Sequence, residues 1–79
     1  MVLIQHIPLE GTNEIEQMVS EYGNVELFLT ELTNFEREQQ ALVKMADEFE
    51  CDFLISMLDG HNWGSLRLKV QKVEDILAG

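Results

Sequence analysis

Apolar residues change their spacing several times along this chain, and each change marks an element. Val2–Ile7 alternates partly and is rich in β-branched residues, so it reads as a strand, stopped by Pro8. Glu10-Gly11 turns the chain. Thr12 or Asn13 can cap a helix, and Asn13 with Glu16 has capping-box spacing. Ile15, Met18, Val19 and Tyr22 then recur at i, i+3, i+4 and i+7, one helical face that Gly23 ends.

Val25–Thr30 fits two periods, because Val25, Leu27 and Leu29 alternate while Val25, Phe28, Leu29 and Leu32 suit a helix. Thr33-Asn34-Phe35-Glu36 decides for a strand. It is a second capping box, with Thr33 as N-cap, and predicts a new helix rather than the continuation of an old one. From Phe35 to Glu50 the residues Phe35, Leu42, Val43, Ala46 and Phe49 share a helical face. Asp52–Leu58 follows as an expected central strand, apolar on both faces. Leu66, Leu68 and Val70 then alternate with Ser65, Arg67 and Lys69, a half-exposed edge strand, and Val73, Ile76 and Leu77 give a short last helix.

The predicted order is β-α-β-α-β-β-α in one domain, residues 1–79. The fold class is α+β: a two-layer open-faced sandwich, with a four-stranded, mainly antiparallel sheet and three helices on one face. The other sheet face would be uncovered. Leu54 and Leu58, or the residues opposite them, would then lie on it and invite a partner or a second copy.

Charge sharpens this picture more than composition does. Fifteen acids against five bases give a net charge of −10. Residues 1–59 hold thirteen of the acids and two bases, whereas residues 60–79 are nearly balanced. Such a surface repels phosphate backbones and anionic lipid headgroups, so neither nucleic acid nor a membrane is expected as a direct partner. Cys51 is the one cysteine, which excludes an internal disulfide and a multi-cysteine zinc site and fits a cytoplasmic setting. The first residues have no basic start or long apolar run, unlike a signal peptide.

The stretch ALVKMADEFECDFLI (41–55) resembles the first helix and following strand of the HPr phosphocarrier family, with Leu42, Val43, Ala46 and Phe49 at matching positions. A hairpin over 53–70 and a short helix over 71–78 follow in the family's order, and residues 2–22 would supply its remaining strand and helix. The resemblance implies a circular permutation of that fold. Its phosphorylated histidine is missing, however. Phe35 stands in the histidine's place and Glu38 in that of a proline, although Arg37 fits the arginine. The regulatory serine of the family falls near Lys72. Phosphoryl carriage as the family performs it is therefore not supported.

Candidate chemistry centres on LDGHNWGSLRL (58–68). His61, Asn62 and Trp63 follow Asp59-Gly60 and precede Gly64, and a tryptophan on a corner can anchor an interface. If the HPr-like arrangement holds, this tip lies beside the N-terminus of the 35–50 helix, where Arg37, Asn34 and His61 would bind an anion. No metal site is expected: Cys51, Asp52, Asp59 and His61 match no ligand spacing, and Asp47-Glu48-Glu50-Asp52 lacks the order of a calcium loop. His6 reads as a strand residue. No nucleophile–base pair emerges, so neither an enzyme nor a cofactor is expected. The first reading is a small regulatory module that binds a protein partner or forms a homodimer through the open sheet face or the 59–64 hairpin. The alternatives are an inhibitor that mimics nucleic acid, and a degenerate HPr-like phosphocarrier or anion-binding protein.

Overall fold

The structure is a computed structural model that describes residues 1–33, 37–63 and 66–74. Strand β1 (Val2–Pro8) leads through a 3-10 turn (Leu9–Gly11) into helix α1 (Thr12–Glu21). Strands β2 (Val25–Leu32) and β3 (Glu38–Met45) follow, then helix α2 (Glu48–Leu58). A small hairpin of β4 (Asn62–Trp63) and β5 (Leu66–Arg67) precedes the last strand, β6 (Lys69–Lys72). The main sheet has the order β2-β3-β1-β6, and every neighbouring pair in it is antiparallel. Without the small hairpin the succession is β-α-β-β-α-β.

The fold is thus an α+β two-layer sandwich with a four-stranded antiparallel sheet, as expected, but two helices rather than three are found among the described residues. Two elements exchange identity. The segment expected as a helix over 35–50 contains β3, whose residues alternate between half-buried (Glu38, Gln40, Leu42, Lys44) and buried (Gln39, Ala41, Val43, Met45). Glu38, Gln39, Gln40 and Ala41 favour a helix intrinsically, yet pairing with β1 on one side and β2 on the other overrides that preference. Thr33 is no helix cap; its hydroxyl donates to the Glu38 carbonyl across the β2–β3 connection, at 3.4 Å.

The segment expected as a central strand, 52–58, is the body of α2. Asp47 caps this helix by accepting the Glu50 N–H at 2.9 Å. Cys51, Leu54 and Leu58 are buried at i, i+3 and i+7, with Ile55 half-buried at i+4. Leu54 and Leu58 are both 0% exposed and belong to the core beneath α2, so they cannot offer an open-face contact. The last expected helix is also corrected: Val73 and Glu74 are not helical, and the rest of that segment lies outside the described residues. Instead the Val73 N–H donates to the Met1 carbonyl at 2.9 Å, which prolongs the pairing of β1 with β6.

Val2, Ile4 and Ile7 of β1 meet Ala41, Val43 and Met45 of β3, Leu68 and Val70 before and within β6, and the inner sides of both helices. Gln39 is the one buried polar residue among the described residues. Its amide nitrogen donates to the Pro8 carbonyl at 2.9 Å and the Thr12 hydroxyl at 2.7 Å, which ties β3 to the start of α1. At the end of β1 a bulge between Ile4 and Ile7 places His6 at φ 67°, a left-handed conformation that histidine adopts more readily than most residues.

Candidate nucleic-acid interface

Both helices pack on one side of the sheet, so the alternation within each strand decides which side chains meet the core and which stay uncovered. Leu3 and Gln5 of β1 point away from the helices, as do Gln40 and Leu42 of β3, Leu29 and Glu31 of β2, and Lys69 and Gln71 of β6. The register aligns them in rows across the strands. Leu29 lies opposite Leu42, Leu42 opposite Leu3, and Leu3 opposite Gln71, which makes an aliphatic row with an amide at one end. One step along, Glu31 lies opposite Gln40, and Gln5 opposite Lys69.

This second row is linked by its side chains. The Gln40 amide nitrogen donates to a Glu31 carboxylate oxygen. The Gln5 amide nitrogen in turn donates to the Gln40 carbonyl oxygen at 3.5 Å. Farther toward the loops, Glu38 meets the His6 imidazole at 3.1 Å, and Lys44 flanks the aliphatic row from β3. Acids and bases are therefore balanced on the uncovered face. Among the described residues much of the negative charge lies elsewhere: Glu14, Glu16 and Glu21 are exposed on α1, and Glu48 and Asp52 on α2. Lys72 projects from β6 to the helix side, where it pairs with Asp52 at 2.6 Å and Glu48 at 2.8 Å. The Asp52 carboxylate first, then that of Glu48, raises the Lys72 ammonium above the ordinary lysine range.

The corner at 58–63 has a structural use. Gly60 adopts φ 81°, its N–H donates to the Leu68 carbonyl at 2.9 Å, and the Leu68 N–H returns to the His61 carbonyl at 2.9 Å. The Asp59 carboxylate accepts the Val70 N–H at 3.0 Å, so this short stretch locks the end of α2 to β6. Trp63 is half-buried and packs on the core rather than standing free on a tip. It presses on Gly11, where an added Cβ would lie 3.1 Å from the indole ring. His61 is exposed and meets Trp63 edge-on, with 6.4 Å between ring centroids. Asn62 is exposed and accepts from the Arg67 guanidinium at 3.4 Å.

The expected anion site does not assemble. In place of the helix expected over 35–50, Glu38–Met45 forms strand β3; Arg37 is an exposed loop residue at φ 63°, and Asn34 lies outside the described residues. The real helix N-terminus, at Asp47, is filled by its own carboxylate and flanked by Glu48 and Glu50, which repels anions. No group of three or more histidine, cysteine or acidic residues could hold a metal ion among the described residues. Among them, too, no helix is long and apolar enough to cross a membrane.

No protein-family model matches the sequence, and no curated protein does. Solved structures do match the fold. The Pes4 RRM3 structure superposes with a TM-score of 0.81 at 16% identity, over 94% of this chain and 90% of that one. The Mip6 RRM3 domain gives 0.79 at 16% identity, over 92% and 90%. The Rna15 RRM with bound RNA (GU) gives 0.78 at 19% identity, over 94% and 82%. These likenesses overturn the HPr resemblance, whose apolar spacing at 41–55 belongs to a strand followed by a helix rather than a helix followed by a strand. The chain has the fold of RRM (RNA recognition motif) domains.

Proposed function

We propose that this chain is a non-enzymatic binding domain that takes single-stranded RNA across the uncovered face of its sheet. The observation that carries the reading is that face itself: four strands with no helix over them among the described residues, balanced in charge, on a fold shared with a domain solved with RNA bound. The sequence-based expectation of a protein-binding module that avoids nucleic acid is corrected by these likenesses. Net charge is a poor guide because it averages over the whole molecule, and six of the described acids, Glu14, Glu16, Glu21, Glu48, Glu50 and Asp52, stand on the helices. An RNA on the sheet faces Lys44 and Lys69 beside Glu31 and Glu38, not the full −10.

The manner of binding differs from that of most RRM sheets, where aromatic residues of the two signature strands stack on bases. The general pattern of the third strand, K/R-G-F/Y-G/A-F-V-x-F/Y, falls on Glu38-Gln39-Gln40-Ala41-Leu42-Val43-Lys44-Met45. Ala41 and Val43 match. Glu38 replaces the base, Gln39 the glycine, and Gln40, Leu42 and Met45 the three rings, of which Gln40 and Leu42 stand on the uncovered face. Stacking on such rings is worth about 1–3 kcal/mol per base, so this surface binds weakly and through amide hydrogen bonds and aliphatic contact. With two lysines on the face, log K should fall against log salt with a slope of about −1.4.

Titration of labelled protein with short unstructured RNA, followed by amide NMR shifts, tests the reading. Shifts are expected at Leu3, Gln5, Gln40, Leu42 and Lys69 and not at Phe49 or Glu14. Absence of any shift at millimolar RNA refutes it.

A further inference from the structure

The row of Glu31, Gln40 and Gln5 has a direction. A carboxylate accepts hydrogen bonds and donates none, so Glu31 forces the Gln40 side chain to turn its NH2 toward β2 and its carbonyl toward β1. That carbonyl takes the Gln5 NH2, which orients Gln5 in the same sense. The Gln5 carbonyl is left facing β6, where Lys69 stands opposite. The row therefore ends in a donor-rich group at β6 and in an acceptor-only group at β2. Gln40 is the one hydrogen-bond donor to Glu31 among the described residues, and Glu31 is exposed.

An acid on a face that meets RNA is costly unless a base offers it donors. We infer that Glu31, held by Gln40, selects guanine at a base position resting on Leu29 and Leu42. This inference rests on the RNA-binding reading above. Guanine carries N1–H and the N2 amino group side by side on its Watson–Crick edge, a fork that matches the two oxygens of a carboxylate. Uracil sets its single N3–H between two carbonyls. Adenine and cytosine each pair one amino group with an acceptor nitrogen. All three bring an acceptor against a Glu31 oxygen.

The spacing is suitable. Leu29 and Glu31 are two residues apart on the same face of β2, about 7 Å along an extended strand, close to the length of a purine. A guanine lying on Leu29, which is 46% exposed, and on its neighbour Leu42 would bring its edge to Glu31. Each carboxylate oxygen has two lone-pair directions, so the Gln40 bond and the base edge do not compete for one site.

The test uses the pentaribonucleotides UUGUU, UUIUU, UUAUU and UUUUU with the whole chain, the inosine oligomer lacking the N2 amino group. UUGUU is expected to bind about tenfold tighter than UUUUU or UUAUU, the scale of one bidentate base contact, with UUIUU between. In Glu31→Gln the preference for guanine should vanish while UUUUU binding holds or improves, because a negative charge has gone. Glu14→Gln, on the far side of the molecule, should leave all four affinities unchanged. If the four oligomers bind equally, or Glu31→Gln keeps the guanine preference, the selection is overturned and the RNA-binding reading survives. If none binds, both are overturned.

Discussion

The two outer surfaces of this protein are opposites in how they manage charge. On the helix side, the acids are solvated or pair with a helix end or with Lys72, and Phe49, at 86% exposed, stands among them. On the sheet side, each of the two acids among the described residues meets a polar partner: Glu31 the Gln40 amide and Glu38 the His6 ring. A total of −10 therefore says little about what can approach a given face. Placement does. A polyanion is repelled by the helices and meets a neutral, amide-rich surface on the sheet.

Residues that serve opposite sides of the sheet should respond differently to truncation. Leu54→Ala empties the space beneath α2 and should cost about 2–5 kcal/mol in urea unfolding. Leu42→Ala, on the uncovered face, should cost about 1 kcal/mol or less yet weaken RNA binding. Equal losses of stability would mean that the sheet's outer face is covered in solution. Asp47→Ala removes the α2 cap and should cost about 1 kcal/mol, with RNA affinity untouched, as checked by parallel melts and titrations.

The smallest effect concerns Lys72. Its folded-state pKa is raised, so the pairing with Asp52 and Glu48 stabilises the fold fully below the ordinary lysine value of 10.5 and fades as pH climbs through that value and above it. Both sides of the pair are solvent-exposed and salt weakens it further. The melting difference between the wild type and Lys72→Met should be present at neutral pH, shrink above pH 10.5, and shrink at high salt. A difference that grows with alkaline pH would show that Lys72 is held by something other than these carboxylates.

In the first half of the chain β1 and α1 were legible because each has one dominant period, whereas β2 fits two and is predicted as a strand through a Thr33 cap that does not form. Val2–Pro8, Thr12–Glu21 and Val25–Leu32 follow the expected strand, helix and strand. The second half was not, and the cause is local. Leu42 and Val43 are adjacent and both apolar, which a helical face can use together but a strand sends to opposite sides. FLISML at 53–58 is apolar all round, so its period is hidden. Asp47-Glu48-Phe49-Glu50 was the signal that could have resolved it, a capping box of acid and Glu three apart that forms as such at the Asp47 end.

By itself the sequence determined the alternation of β1, the amphipathic face of α1, the two-layer class and the turn chemistry around Gly60, since these depend on residues a few positions apart. Only the tertiary structure decided that 38–45 is a central strand, that Leu54 and Leu58 are buried, and that Leu3, Gln5, Gln40 and Leu42 share an uncovered face. Those outcomes depend on contacts between distant parts of the chain. Glu31, Gln40 and Gln5 become one row because β3 pairs with both β2 and β1. No window of the sequence contains that pairing.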